Sequence, residues 1–445
     1  MTSTPRSPRQ RGPVRRRLHQ VGNLLGHRLS PHLGWLVGSQ ARLDRLSRIP
    51  VIPVRFFPKL RSPATAWDTP TAPVPPELRT VAGIRRDPEA EDAAFTERPL
   101  HDFFTLHAEA FPTVYQNMSP TLVSVGPRIL SATRRLREFQ NEQPDVAPDP
   151  FADPVALTRE LKAEARRLGI SAAGVAPFDP KYTFAEFAGL AVGDRVVVCV
   201  LEQNYDSTQS APSMTSERAA LSTYSELEDQ LVELSAWLRR RGYQARPEIF
   251  DGESIVIHYG VAAGLGQLGM NGQLLTPHAG SRCRLNMLTT DAPLVFDEPI
   301  DYGIERICDS CQICVRRCPV GAIPNHRKEF RGITKPKLNT KRCLPILIQT
   351  EGCAVCMKVC PVQRFGLTAV IDEYQRNGTI LGKDTDDLEG YDWPLDGQHY
   401  GPGDKPKLPL HVTNPKELNF DPARVEPAAA LAPPEHGVGG ALGAV

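Results

Sequence analysis

Two runs of cysteine constrain this chain more than any other feature. The first reads Cys308, Cys311, Cys314 and Cys318 followed by Pro319, a C-x2-C-x2-C-x3-C-P pattern. The second is Cys343, then Cys353, Cys356 and Cys360 followed by Pro361. The 445-residue chain has ten cysteines, and only Cys199 and Cys283 fall outside these runs. A secreted disulfide scaffold spreads its cysteines through a short chain, whereas tight clustering in a long chain points to metal and to a reducing compartment.

The spacing selects the kind of metal group. Three closely spaced cysteines wrap backbone around one iron–sulfur cube, and the fourth, ahead of proline, turns towards a second cube. The expected pairing is therefore crossed. Cys308, Cys311, Cys314 and Cys360 hold one [4Fe–4S] cluster, and Cys318, Cys343, Cys353 and Cys356 hold the other. The competing reading, two zinc sites of four cysteines, calls for two separated C-x2-C knuckles instead.

Composition narrows the remaining choices. Fifty-two basic and 51 acidic residues leave a formal charge of +1, which gives no global case for nucleic-acid binding. A hydrophobic content of 41% is enough for a buried core. Arg15, Arg16 and Arg17 resemble the start of a twin-arginine signal, but His19, His27, Arg28 and His32 interrupt the stretch that follows. No run reaches the roughly 18 to 20 apolar residues of a transmembrane segment. The expected location is the cytoplasm.

Four regions follow. Residues 1–150 read as a Pro/Arg-rich extension, partly ordered, with proline-rich linkers and short helices over 100–111 and 127–139. Residues 151–296 read as an α/β domain. Asp153 is an N-cap, Pro154 suits the first helical position, and Gly169 suits the stop. Residues 170–175 and 195–201 read as strands, the second apolar on both faces as a central strand would be. A helix is expected over 224–241, with Thr223 and Glu226 as its capping box and Leu227, Leu231, Leu234 and Leu238 buried. Residues 297–365 are expected to form an α+β ferredoxin-like dicluster domain. Residues 366–445 read as a C-terminal extension, disordered after about 427 by composition; its aromatics either cover a cluster, line a channel or pack across the surface.

Gly264, Gly266 and Gly269 match the dinucleotide pattern G-x-G-x-x-G, yet that pattern binds nucleotide only between a strand and a helix. Here a helical stretch precedes it and a short strand follows. The glycines of this loop, with Asn271 and Gly272, are instead expected to let backbone approach a flat cofactor.

The stretch from Ala263 through Asn271-Gly272, Thr276-Pro277, Gly280 to Leu285 and Thr290 to Leu294, running straight into the cysteines, resembles the cobalamin-dependent reductive dehalogenases. It is similar, less closely, to epoxyqueuosine reductase, a tRNA-modifying enzyme. Gly174, Gln203-Asn-Tyr-Asp206 and Tyr224 extend the resemblance to roughly residues 150–365. It implies a nitroreductase-like α/β fold and a corrinoid (cobalamin) beside the nearer cluster. It also implies a proton-donating tyrosine at Tyr224, supported by Arg282 or Arg284. Asp251 falls near a polar family position, where it binds substrate or leaving group; read from the residues alone, it is a turn residue before Gly252. Tyr224 is read equally as the first residue of a buried helical stripe. An export signal is missing, and tryptophan does not follow Pro361.

The leading expectation is an iron–sulfur oxidoreductase that takes electrons from an external ferredoxin- or flavodoxin-type protein and reduces a small electron-poor molecule. The alternatives are an epoxyqueuosine-reductase-like enzyme and a non-catalytic electron-transfer protein.

Overall fold

The computed structural model describes residues 120–408, apart from 184–186, 188, 250–252, 331–332, 340–341, 344–345, 348–349 and 351, together with residues 73, 74 and 76. The expected helix over 100–111 and the C-terminal run after 427 lie outside the described residues, as does Asp251.

The α/β region is built on four strands: β1 (Ala172–Pro177), β2 (Arg195–Glu202), β3 (Ala245–Pro247) and, later in the chain, β6 (Cys283–Thr290). Their spatial order is β1-β2-β6-β3, and every pairing is antiparallel. Val196, Val197, Val198, Cys199 and Val200 are fully buried, so β2 is the doubly covered central strand that its sequence implies. β2 and β3 both run antiparallel to β6 and hence parallel to each other. The helical crossover between them makes a split β-α-β unit with β6 inserted. Helix–strand alternation in sequence thus coexists with an antiparallel sheet.

Helices cover both faces. On one side lie α1 (Pro120–Gln140), α2 (Pro154–Arg167), the short α3 (Tyr205–Gln209) and the long α4 (Met214–Arg239). Asp153 caps α2 by accepting from the Val155 amide, and Gly169 turns at φ +91°, which lacks a Cβ penalty only for glycine. Leu157 and Leu161 of α2 pack with Leu227, Leu231, Leu234 and Leu238 of α4 over β1, β2 and β6. α1 lays Leu136 and Phe139 against Val232 of α4, so this part of the N-terminal extension belongs to the domain's core. The other face is covered by α5 (Val256–Ala262), where Tyr259 is fully buried beneath Val196 and Val198.

α4 starts ten residues earlier than the expected helix. Ser213, not Thr223, is its N-cap, accepting from the Ser216 amide. Thr223 sits inside the helix and donates its hydroxyl to the Ala219 carbonyl at 2.7 Å. Thr-x-x-Glu mimicked a capping box because serine and threonine can satisfy either backbone arrangement. Tyr224 is consequently a mid-helix residue, away from the positive end of the helix dipole.

After α5 a small hairpin, β4 (Gln267–Leu268) with β5 (Leu274–Leu275), leads into β6. The cysteine region follows with α6 (Ile304–Cys311), α7 (Ile313–Arg317), the hairpin β7 (Lys328–Phe330) and β8 (Ile333–Lys335), α8 (Val355–Lys358) and α9 (Pro361–Phe365). The chain goes on into α10 (Leu367–Asn377), α11 (Asp386–Glu389) and the hairpin β9 (Tyr391–Asp392) and β10 (His399–Tyr400). Tyr391, Trp393 and Tyr400 share one buried core with Cys308, Cys311, Cys318 and Cys360. Through residue 408 the C-terminal extension is thus part of the cysteine-bearing unit.

Candidate functional site

The two cysteine runs fold as a repeated device. Gln312, directly after Cys311, adopts φ +53°, and Ala354, directly after Cys353, adopts φ +42°. Left-handed backbone costs a non-glycine residue roughly 1–2 kcal/mol, so both positions are held by what surrounds them. Each one reverses the chain into a short helix, α7 or α8, which carries the next cysteine. The next amide then donates to the sulfur just passed: Ile313 to Cys311, and Val355 to Cys353. Each run closes on Cys-Pro.

The cysteines gather in two groups, each drawing on both runs. Cys308, Cys311, Cys314 and Cys360 line one cavity together. Cys318, Cys343, Cys353 and Cys356 gather in a second group, in which Cys318 opposes the ionisation of the other three. The groups adjoin through Cys356, whose ionisation Cys314 and Cys360 also feel or oppose. All ten cysteines are free of disulfides. Burial pushes the thiols of Cys308, Cys311, Cys343 and Cys360 up to about 12. Metal ligation needs thiolates, so loading these sites releases protons that burial otherwise retains.

Cys308, Cys311, Cys314 and Cys360 surround a space rather than a point. Among the described residues, no three His, Cys, Asp or Glu side chains converge on the position of a single metal ion. Further amides reach the sulfurs from outside the runs, the Ala322 amide to Cys318 Sγ at 3.2 Å and the Val362 and Gln363 amides to Cys360. Cys199 and Cys283 lie in β2 and β6, where burial pushes both up to about 12, so they are inert core residues.

The glycine-rich loop forms the wall between the sheet and the first cavity. Met270 and Asn271 line that cavity, and the Met270 amide donates to Cys308. The loop follows a helix and itself folds into the β4–β5 hairpin, so it does not join a strand to a helix as a dinucleotide site requires. The first three glycines answer to the chain itself. A Cβ on Gly266 would meet the Leu275 carbonyl oxygen at 2.3 Å, one on Gly264 the Glu298 carbonyl at 2.5 Å, and one on Gly269 the Leu275 side chain at 2.7 Å. Only at Gly272, φ +74°, is the nearest atom 3.8 Å away. Asn271 is buried and donates to Ser281 Oγ at 3.2 Å.

Tyr224 is half-buried on α4, with the Arg284 guanidinium 5.2 Å from its ring centre. Of the two arginines, Arg284 is therefore the one that meets the tyrosine. Arg282 is committed elsewhere: it is buried, forms an ion pair with Glu202, donates to the Gln203 carbonyl at 2.8 Å and lies 5.1 Å from the Tyr205 ring. Glu217, one α4 region earlier, has its carboxyl raised by burial, opposed by Arg284.

Sequence reasoning missed the seam between α3 and α9. Tyr205 is bracketed by Arg282 and Arg364, and Arg364 donates to its hydroxyl. Gln209 donates to Gln363 Oε1 at 3.1 Å. Arg282 Nε and Gln363 Nε2 are buried polar atoms here without a hydrogen-bond partner. The signal for it in the sequence is Gln203-Asn-Tyr-Asp206 itself, which supplies Tyr205 and the Gln203 carbonyl.

Comparisons with known proteins agree with this geometry. Residues 307–364 match the family described as 4Fe-4S dicluster domain, which carries two [4Fe–4S] clusters. A tetrachloroethene reductive dehalogenase of Sulfurospirillum multivorans is 27% identical over 49% of this chain and 52% of its own length. A namesake from Desulfitobacterium hafniense is 32% identical over 42% of this chain and 30% of its own length. The chain thus spans about half or less of these curated relatives. Among solved structures, a catabolic reductive dehalogenase in complex with 3-bromo-4-hydroxybenzoic acid superposes with a TM-score of 0.57 at 20% identity, covering 82% of this chain and 58% of the other. An epoxyqueuosine reductase of Lactococcus garvieae is 33% identical over 23% of this chain and 30% of its own length. Among the described residues no helix is long and apolar enough to cross a membrane. This chain is similar to the reductive dehalogenases in sequence and in fold, and it carries a 4Fe–4S dicluster domain.

Proposed function

We propose that this protein is a corrinoid-dependent oxidoreductase of the reductive-dehalogenase kind, acting on a small electron-poor molecule such as an organohalide. The observation that carries the proposal is the contact between the glycine-rich loop and the first cysteine set, where the Met270 amide meets Cys308. An electron-carrying group and the α/β domain share a wall there.

Cys308, Cys311, Cys314 and Cys360 ligate the cluster nearer the α/β domain, and Cys318, Cys343, Cys353 and Cys356 ligate the farther one. The corrinoid is held by the loop ending in Asn271 and Gly272 and by the seam between α3 and α9. The partnerless donors Arg282 Nε and Gln363 Nε2 fit a ligand rich in carboxamide acceptors. Reduced cobalt, when bound, supplies a strong nucleophile or one-electron donor.

The protein's own task is to deliver the proton. Tyr224 donates it, and Arg284 stabilises the phenolate left behind. Arg282 positions the wall by locking Glu202 and Tyr205. Asp251, which lies outside the described residues, is the candidate for binding substrate or leaving group. Electrons arrive from an external ferredoxin- or flavodoxin-type protein, and cysteines free of disulfides support a cytoplasmic location. The family implies a nitroreductase-like parentage for the α/β domain.

The test is anaerobic reconstitution with cobalamin, followed by chemical reduction and a screen of aryl and alkenyl halides for halide release. Release that depends on both cobalamin and iron supports the proposal. Iron-loaded protein that binds no cobalamin leaves only the electron-transfer reading.

A further inference from the structure

The C-terminal segment from Asp386 to Lys405 is tied to the second cysteine set by an uncommon anchor. Arg317 immediately precedes Cys318 and is buried to 1% exposure. Its guanidinium donates to three backbone carbonyls of that segment: Glu389 at 3.1 Å, Tyr400 at 2.8 Å and Asp404. It also lies 4.7 Å from the ring centre of Tyr391 and 4.0 Å from the Glu389 carboxylate. Lys358, two residues after Cys356, donates to the Gly390 carbonyl. From the far end of the segment, Lys405 Nζ reaches back to the Cys318 carbonyl at 3.2 Å. Tyr391 and Trp393, each 1% exposed, fill the core beside the cysteines.

We infer that this segment is a strap over the second cluster, and that Lys405 raises that cluster's reduction potential through its charge at Cys318. The inference rests on the two-cluster reading above. Reduction adds one electron to a cluster, so a nearby fixed cation favours the reduced form. Arg317 contributes in the same sense, but part of its charge is met by Glu389. Lys405 has no carboxylate within ion-pair distance among the described residues, so its charge acts on Cys318 uncompensated. Its side chain is at the surface, where salt screens it, and the effect therefore weakens as ionic strength rises.

The experiment is a potentiometric titration of the full-length, anaerobically purified protein, followed by electron paramagnetic resonance. The second cluster's signal is the one that Cys343→Ser removes. Lys405→Gln is expected to retain wild-type iron, to move that signal to a more negative midpoint, and to leave the other cluster's midpoint in place. Lys405→Arg is expected to restore the native midpoint. Unmoved midpoints in Lys405→Gln, or equal movement of both clusters, overturns the inference. If Lys405→Gln loses iron, retention of both clusters at native potentials in Lys405→Arg supports the role of the charge, and iron loss in both variants overturns it. A wild-type protein with one cluster or none fails at the iron assay, which identifies the failure as that of the two-cluster reading.

Discussion

The Arg284 guanidinium stands 5.2 Å from the centre of the Tyr224 ring, joining β6 to the middle of α4. In the proposed mechanism Tyr224 is the proton donor, and Arg284 is the cation set over its ring. Tyr224 lies mid-helix, so it is Arg284 and not the helix N-terminus that faces its ring. Tyr224→Phe keeps the ring and removes the hydroxyl. Iron content and cobalamin binding are expected to survive, while turnover falls by roughly 10²- to 10⁴-fold, the usual worth of a positioned general acid. Wild-type turnover would make Tyr224 a packing residue.

Arg282 and Arg284 are two residues apart, yet their replacements are expected to fail differently. Arg282→Met strands Glu202 in a buried ion pair whose partners are 5% and 6% exposed. Removing one member of such a pair costs about 3–5 kcal/mol, so thermal unfolding should move sharply downward. Arg284→Met leaves no buried ion pair broken and is expected to lower turnover with little change in unfolding temperature. Equal unfolding temperatures for the two variants would contradict these assignments.

The crossed cysteine pairing predicts which cluster each substitution damages. Cys318→Ser belongs by sequence to the first run but by structure to the second group, with Cys343, Cys353 and Cys356. It is expected to impair that cluster and spare the one bounded by Cys308, Cys311, Cys314 and Cys360. Loss of the resonance that Cys314→Ser also removes would show the pairing to be uncrossed.

Glu248 gives the fold a pH dependence of its own. Burial, with Glu253 adding to it, pushes its carboxyl up to about 8, and Ser254 donates to it at 2.7 Å. Its folded pKa lies above the unfolded value, so the folded state holds the extra proton between the usual carboxylate range and about pH 8. Stability from this group is full at low pH and is lost as pH rises through that window. Glu248→Gln, which keeps the shape without the charge, is expected to flatten the fall in unfolding temperature between pH 5 and pH 8, a range chosen to span roughly the carboxylate and raised values. An unchanged slope would mean that Glu248 ionises without cost.

How much of this was legible beforehand follows from the range of each interaction. Cysteine spacing, the Asp153 cap and the doubly apolar β2 are local patterns, and each stands where the sequence put it. The start of α4 was misjudged because Thr223 and Glu226 imitate a cap that Ser213 supplies. Strand direction depends on pairing between distant segments, which helix–strand alternation does not encode. The C-terminal strap was illegible because an arginine between two cysteine ligands reads as a surface residue, and only the fold reveals its three carbonyl partners. The packing at Gly266 is illegible for a similar reason: only the fold shows that its missing Cβ makes room for the Leu275 carbonyl.

The most direct measurement is the metal content of the anaerobically purified protein after cobalamin reconstitution and removal of excess cofactor. About eight irons, four for each cube, with about one cobalt per chain is the expected result. Two zincs with little iron, or a full complement of iron with no retained cobalt, would contradict it.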